Sequence, residues 1–533
     1  MFSLPLNRNR KRPQPSRRRG HVWLLGLLGL MIALPPMLQF PGSAIAANLP
    51  AGFRDEIVAD MDRPTAMAFA PGGLLLVTEK AGQLWVVDRA GKAETPALDL
   101  GPTICTNRNR GLLGVAVDPA FAQNRAIYLF YTFNKFMDCP VFEDYGPTNP
   151  VSRVSRFALG DDNVVDPDSE RVLLEGIVSY SAGNHDGGDL GFGKDGFLYI
   201  SVGDGDCDLA DIEDGGEVTR CQGENPNAQQ MNLLYGKILR ITRDGNIPRD
   251  NPYVGNGTAR CNGDGRAPVG RTCQEIFASG FRNPFRIAFD QNAKTTRLFI
   301  NDVGNDVSEE VNAGKAGANY GYNRREGFCL INSGQDCQKR NPPRGLTNPI
   351  YAYRHTTGCE SITGGAFSPA KSDWPAKYRG DYFYADVVCG KIFRLSQSNH
   401  GIFRPTLFAG DFGGFSLIDL AFGPADLGQP NGDRALYYAT FQDGAAIRRI
   451  AFGKEAAPTA DGGTRAAEEA PTDRRDRARD EELTPTGDEA TDQQRDTTNQ
   501  QRDRRNDRSD QADGGADRGD AEAAPPKSRD RSG

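Results

Sequence analysis

Between residues 47 and 454, apolar and polar positions alternate in short runs, and the runs return in the same order six times. Each unit is an apolar strand, a turn carrying Gly, Pro or Asp, and a second strand rich in Leu, Tyr, Ile and Val. The first reads Ala66-Met67-Ala68-Phe69-Ala70, turns at Pro71-Gly72-Gly73 and continues over 74–77. The others open at Gly114, Asp189, Phe285, Gly364 and Asp419, with second strands over 126–131, 197–202, 297–301, 381–385 and 435–439. A third strand follows several of them, over 83–87, 236–242 and 390–395. Period-two alternation, tight turns and almost no helical periodicity mark antiparallel meanders. Six such units around one axis predict an all-β fold, a six-bladed β-propeller. A β-sandwich, the competing arrangement, would not require similar units to recur.

Both ends break this pattern. Residues 8–19 carry seven Lys or Arg and no acid, an apolar run follows over 22–34, and Ala44-Ile45-Ala46 has the small-x-small form of a signal-peptidase site. We read 1–46 as an export signal cleaved before Ala47, with an uncleaved anchor as the alternative, since 22–40 approaches a bilayer-spanning length interrupted by Pro35-Pro36. Residues 455–533 contain no Phe, Trp, Tyr, Val or Ile and mix 14 basic with 21 acidic side chains. Such a segment buries too little apolar area to offset its ordering entropy, which predicts a disordered, charged tail. It reads as a tether or cell-envelope contact, or as an inert solubilising tail. Loss of the signal takes seven positive charges from a chain already at −7. An acidic mature protein argues against nucleic acid as a partner.

All ten cysteines lie in the middle region, and none forms a CxxC pair. An even count behind an export signal predicts disulfides in an oxidising compartment, secreted or periplasmic, and speaks against zinc. Nearest-neighbour pairing is expected. The long stretches 133–150, 203–235, 243–275 and 323–360 hold eight of the ten, which predicts a stapled rim around one mouth of the channel.

Three clusters carry candidate chemistry. His185 sits in Gly183-Asn184-His185-Asp186-Gly187-Gly188, at the entry to the third unit. Imidazole titrates near neutrality and suits a general base, although a loop-bonded structural His has the same look. Gly280-Phe281-Arg282-Asn283-Pro284 occupies the same place before the fourth unit, and its planar cation can stack on a flat ligand or pair with carboxylates. The stretch Asn301-Asp302-Val303-Gly304-Asn305-Asp306-Val307-Ser308-Glu309-Glu310 is rich in oxygen donors and suits Ca²⁺. Asp204, Asp206 and Asp208 read as a weaker calcium loop. No P-loop, dinucleotide fingerprint or serine elbow is present.

The stretches 110–121, 184–204, 280–290, 302–310 and 319–322 together resemble the glucose/sorbosone dehydrogenase family. That family holds the soluble PQQ-dependent glucose and aldose sugar dehydrogenases and the Hedgehog-interacting-protein-like proteins. The resemblance implies a six-bladed propeller that binds pyrroloquinoline quinone (PQQ) over a Ca²⁺ ion. It implies that His185 takes the proton of the C1 hydroxyl of an aldose sugar while hydride passes to the quinone. Asn109 matches a position that helps hold quinone or substrate, and Arg282 and Asn283 match residues packed against and bonded to the cofactor. The carbonyls of Gly304 and Asn305 match the Ca²⁺ ligands. An external electron acceptor is implied as the second partner.

The chain also departs from the family. Where the quinoprotein enzymes carry a Lys for a PQQ carboxylate, Ala366-Phe367-Ser368-Pro369-Ala370 has no basic residue. A nearby Arg of the family falls around Cys389-Gly390-Lys391, so Lys391, or Arg354, is the expected substitute. Each charge-assisted bond contributes about 1.5–3 kcal/mol, so missing cations weaken the cofactor site. The alternative reading is therefore a non-catalytic, disulfide-rich propeller that recognises a glycan or a protein.

Overall fold

In a computed structural model of the chain, residues 47–137, 139, 150–179, 183–207, 225–331, 337, 341–442 and 444–453 are described. The export segment, the tail, Asp208 and Cys221 lie outside them.

Six antiparallel sheets of four or five strands form the blades, with their strands stacked outward in chain order except at the outer edge of blade 6. Their first and second strands are Pro64–Ala70 and Leu74–Glu79 (blade 1), Leu112–Val117 and Ala126–Phe133 (blade 2), and Leu190–Phe192 and Leu198–Val202 (blade 3). Blades 4 to 6 begin with Asn283–Phe289 and Leu298–Val303, Ile362–Phe367 and Tyr382–Asp386, and Leu417–Pro424 and Arg434–Thr440. The first strands touch in a closed ring, blade 6 against blade 1. This is the predicted propeller, with every predicted strand pair in place.

Convergence on the axis explains why the first strands carry small residues. A Cβ on Gly114 would lie 2.2 Å from the Gly188 carbonyl oxygen, and one on Gly364 would lie 2.5 Å from the Leu420 nitrogen. The apolar side chains lie between blades instead. Six buried clusters fill the six blade-to-blade interfaces, as with Leu84 and Leu129 between blades 1 and 2 or Phe383 and Tyr438 between blades 5 and 6. Each fully buried Leu or Phe contributes about 1.5–3 kcal/mol, so stability is distributed around the ring.

The ring closes with a strand that the repeat pattern did not predict. Phe53–Asp60 forms the outer edge of blade 6, running antiparallel to Ala446–Phe452 from Phe53↔Phe452 to Asp60↔Ala446. Arg448 and Arg449 pair with Asp55 and Glu56 across this seam, both at 2.8 Å.

Because every blade is a meander, the loops entering the first strands share one face with the hairpins leaving the second strands. Two disulfides staple that face at equivalent places. Cys105–Cys139 ties the entry of blade 2 to its hairpin, and Cys359–Cys389 does the same in blade 5. Cys261–Cys273 and Cys329–Cys337 also pair as nearest neighbours, as expected. Cys207 is disulfide-bonded, but its expected partner Cys221 lies outside the described residues. Among the described residues no helix is long and apolar enough to cross a membrane.

Candidate active site

The stapled face opens into a cavity of about 210 Å³ on the axis, lined by residues from blades 1, 2, 3, 4 and 6. His185 stands beside it, on the loop that enters blade 3. Its backbone is left-handed, with φ of +52°. That conformation costs a non-glycine residue about 1 kcal/mol or more, and such strain concentrates at functional sites. The loop can double back here because Gly203 leaves room: a Cβ there would fall 1.8 Å from the His185 carbonyl oxygen.

His185 Nδ1 lies 2.7 Å from Asp204 Oδ1, and Asp204 is fully buried. A carboxylate at that distance places the imidazole proton on Nδ1 and leaves the Nε2 lone pair to accept another. Asp204 is itself fixed. Its N–H donates to the Arg282 carbonyl at 2.7 Å, and its own carbonyl accepts from the Asn225 and Asn227 amides. Asp206 donates its N–H to Asp204 and accepts from Asn184, so Asp204 and Asp206, two of the three acids read from the sequence as a calcium candidate, lie beside the imidazole.

Arg282 and Asn283 enter the site on the neighbouring loop. Both backbone N–H groups donate to Asp302, at 3.1 and 2.8 Å. Burial, with Glu310 alongside, pushes the Asp302 carboxyl well above the usual range. Asn283 Oδ1 accepts from the Gly187 N–H and so joins the two loops. Arg282 reaches the Val303 carbonyl and Asn305 Oδ1, each at 3.2 Å, while its Nε is buried without a hydrogen-bond partner. Asp204 Oδ2 is orphaned in the same way. Buried polar atoms of this kind are rare and mark a place for a ligand or water.

The loop after Val303 is shaped from behind. Glu326, only 3% exposed, accepts the N–H groups of Asn305, Val307 and Ser308 at 2.7–3.0 Å, and more distantly that of Asp306 at 3.5 Å. These peptides are trans, and a planar trans peptide points its carbonyl opposite to its N–H. The carbonyls of Gly304 and Asn305 therefore point away from Glu326. Glu309 holds the Gly304 N–H at 3.2 Å and His355 Nε2 at 2.6 Å.

The other expected residues divide. Asn109 lines the cavity, and its N–H is tied to the Gly183 carbonyl on the His185 loop. Lys391 begins the third strand of blade 5, in register with Asp386, and is not among the cavity-lining residues. Arg354 turns to the Cys329–Cys337 disulfide on the outer strand of blade 4. Sequence reasoning passed over Glu326 and Lys80, neither of which sits in a motif, while Glu309 fell inside the oxygen-rich stretch without a role of its own. Asp204 was noticed, but for a different chemistry.

A profile of the Glucose / Sorbosone dehydrogenase family matches residues 61–408, most of the propeller. The chain belongs to the glucose/sorbosone dehydrogenase family. Aldose sugar dehydrogenase YliI of Escherichia coli (strain K12) is 29% identical over 293 residues, covering 54% of this chain and 66% of that protein. The Hedgehog-interacting protein of Mus musculus is 28% identical over 253 residues, covering 44% and 31%. The chain thus spans about two thirds or less of the length of these curated relatives. In fold, the PQQ-bound aldose sugar dehydrogenase of Streptomyces coelicolor superposes with a TM-score of 0.53, over 76% of this chain and 99% of that one, at 22% identity. The proteins similar to this chain thus include both named dehydrogenases and a protein named for an interaction.

Proposed function

We propose that this chain is an exported, PQQ- and Ca²⁺-dependent dehydrogenase that oxidises the C1 hydroxyl of aldose sugars. The observation that carries the reading is the His185–Asp204 pair at the cavity mouth, with Nδ1 engaged at 2.7 Å. His185 Nε2 is the base for the C1 hydroxyl proton, and Asp204 holds the ring and offsets the charge of the imidazolium. Asn109 would hold the sugar or the quinone, a role supported by its lining the same cavity. Arg282 and Asn283 hold the quinone. The carbonyls of Gly304 and Asn305, both turned away from Glu326, suit a hard cation such as Ca²⁺. PQQ, when bound, supplies the two-electron acceptor, with Ca²⁺ as Lewis acid and an external electron acceptor completing turnover. The disulfides agree with an oxidising, secreted or periplasmic location.

The test is a titration of the purified protein with PQQ and Ca²⁺, followed by aldose and an artificial electron acceptor. Dye reduction is expected in the wild type and should vanish in His185→Ala while PQQ still binds. A folded wild type that binds no PQQ at high micromolar concentration with Ca²⁺ present would overturn the reading. It would favour the second one, a glycan- or protein-binding propeller, for which the placement of Lys391 and Arg354 away from the cavity is the specific support.

A further inference from the structure

The cavity holds a cation that the proposed mechanism does not use. Lys80 lies at the end of the second strand of blade 1, is 9% exposed and lines the cavity. Its ammonium donates to the carbonyls of Thr106 and Arg110, which are neutral acceptors. Among the described residues no carboxylate lies within ion-pair distance of it. Lys80 contrasts with Arg286 across the cavity, whose guanidinium is matched to Asp419 at 3.3 Å and to two carbonyls. Burial, with Arg63 and Arg110 alongside, pulls the Lys80 amine down to about 8, and Asp186 offsets this in part. Arg108 lines the same cavity from the mouth, on a left-handed backbone with φ of +56°. Asp186 lines the same cavity but lies beyond ion-pair distance, and a buried ammonium with no carboxylate in contact is costly unless an anion arrives to meet it.

We infer that Lys80 and Arg108 form a seat for a ligand carboxylate in the axial cavity, supplied from blades 1 and 2 rather than from blade 5. The inference rests on the dehydrogenase reading for what the ligand is, but not for the seat itself. Two ligands bring a carboxylate to such a site. One is the cofactor, a tricarboxylate whose blade 5 partner is missing here. The other is an acidic sugar such as a uronic acid, which would make the substrate anionic.

The experiment measures equilibrium binding of PQQ and of D-glucuronate to the full protein, with D-glucose as the neutral control, in wild type, Lys80→Met, Lys80→Arg and Arg108→Gln. Circular dichroism confirms folding. Loss of one charge-assisted contact weakens a carboxylate ligand by about tenfold or more, and Lys80→Arg should recover part of that. A higher PQQ Kd in Lys80→Met, with the response to glucose unchanged, places the cofactor's carboxylate on the seat. An unchanged PQQ Kd with a loss confined to glucuronate places a substrate carboxylate there. If Lys80→Met fails to fold, the exposed Arg108→Gln carries the same comparison. Wild-type affinity for both ligands in the folded variants overturns the seat. A wild type that binds glucuronate through Lys80 but never PQQ sinks the quinoprotein reading and leaves the seat standing. Binding of neither ligand to the wild type overturns both.

Discussion

The wall of the mouth built by blades 1 to 3 turns charged groups toward the cavity, whereas the wall built by blade 4 turns its carboxylates onto backbone N–H groups. On the first wall, His185 and Arg108 sit on left-handed backbone at the cavity edge, and Lys80 faces the cavity with only carbonyls for partners. On the second, Asp302 accepts the Arg282 and Asn283 N–H groups, Glu309 those of Gly304 and Ile362, and Glu326 those of the loop that follows. One wall offers side-chain chemistry. The other uses buried carboxylates to aim peptide groups, so that neutral carbonyls face away from them, where the proposed function puts a cation. Proton transfer needs a group that titrates, and coordination of a hard cation needs fixed oxygens. The two walls match those two demands.

The comparison is broken most severely on the first wall. Asp204→Asn keeps the shape of the pair but no longer requires the Nδ1–H tautomer, since an amide can donate as well as accept. Turnover should fall by about 10²–10⁴-fold, with PQQ affinity nearly unchanged. Single-turnover dye reduction beside a PQQ titration checks this, and a variant that loses PQQ in step with turnover would show that Asp204 holds the site together instead. On the second wall, Glu326→Gln removes the charge that gathers the N–H groups of Asn305, Val307 and Ser308. Cation affinity should fall about 10–100-fold, by analogy with outer partners of metal ligands, while the His185 pair is untouched. Terbium luminescence or calorimetry with Ca²⁺ alone reads this without any turnover, and an unchanged affinity would mean that the loop is shaped without Glu326.

The same contrast explains what the sequence disclosed. The blades were legible because each carries its own alternation and turn, down to strands such as Leu74–Glu79 and Tyr382–Asp386. Phe53–Asp60 was not, since its partner is distant and no turn links the two: Asp55 pairs with Arg448, 393 residues on. At the site, His185 and Arg282-Asn283 stood out as Gly-flanked polar groups at strand entries, Gly304 and Asn305 were picked out of an oxygen-rich stretch by the family resemblance, and the fold brings these loops together. Glu326 lies 21 residues from the Asn305 amide that it holds, inside a stretch with no motif. Lys80 reads as an ordinary turn lysine after a strand, and only the approach of the 106–110 loop buries it. Spacing along the chain reports groups that act where they stand. It is silent on groups that act through a neighbour supplied by another part of the chain.

The smallest expected effect sharpens the first wall rather than breaking it. The Lys80 amine, pulled down to about 8, has Arg63 and Arg110 pressing in that direction and Asp186 opposing, with Arg108 and Arg286 around the same cavity. In the ligand-free protein it therefore loses its charge as pH rises through about 8, well before a solvated lysine would. A bound carboxylate favours the ammonium and raises its pKa, so binding above that point requires uptake of one proton. Carboxylate affinity should be level below pH 8 and then decline, by at most about tenfold per pH unit. Arginine stays protonated across this range, so the Lys80→Arg profile should remain flat. Binding isotherms from pH 6.5 to about pH 9.5 separate the cases: a wild type as flat as Lys80→Arg would mean that the charge on Lys80 never meets the ligand.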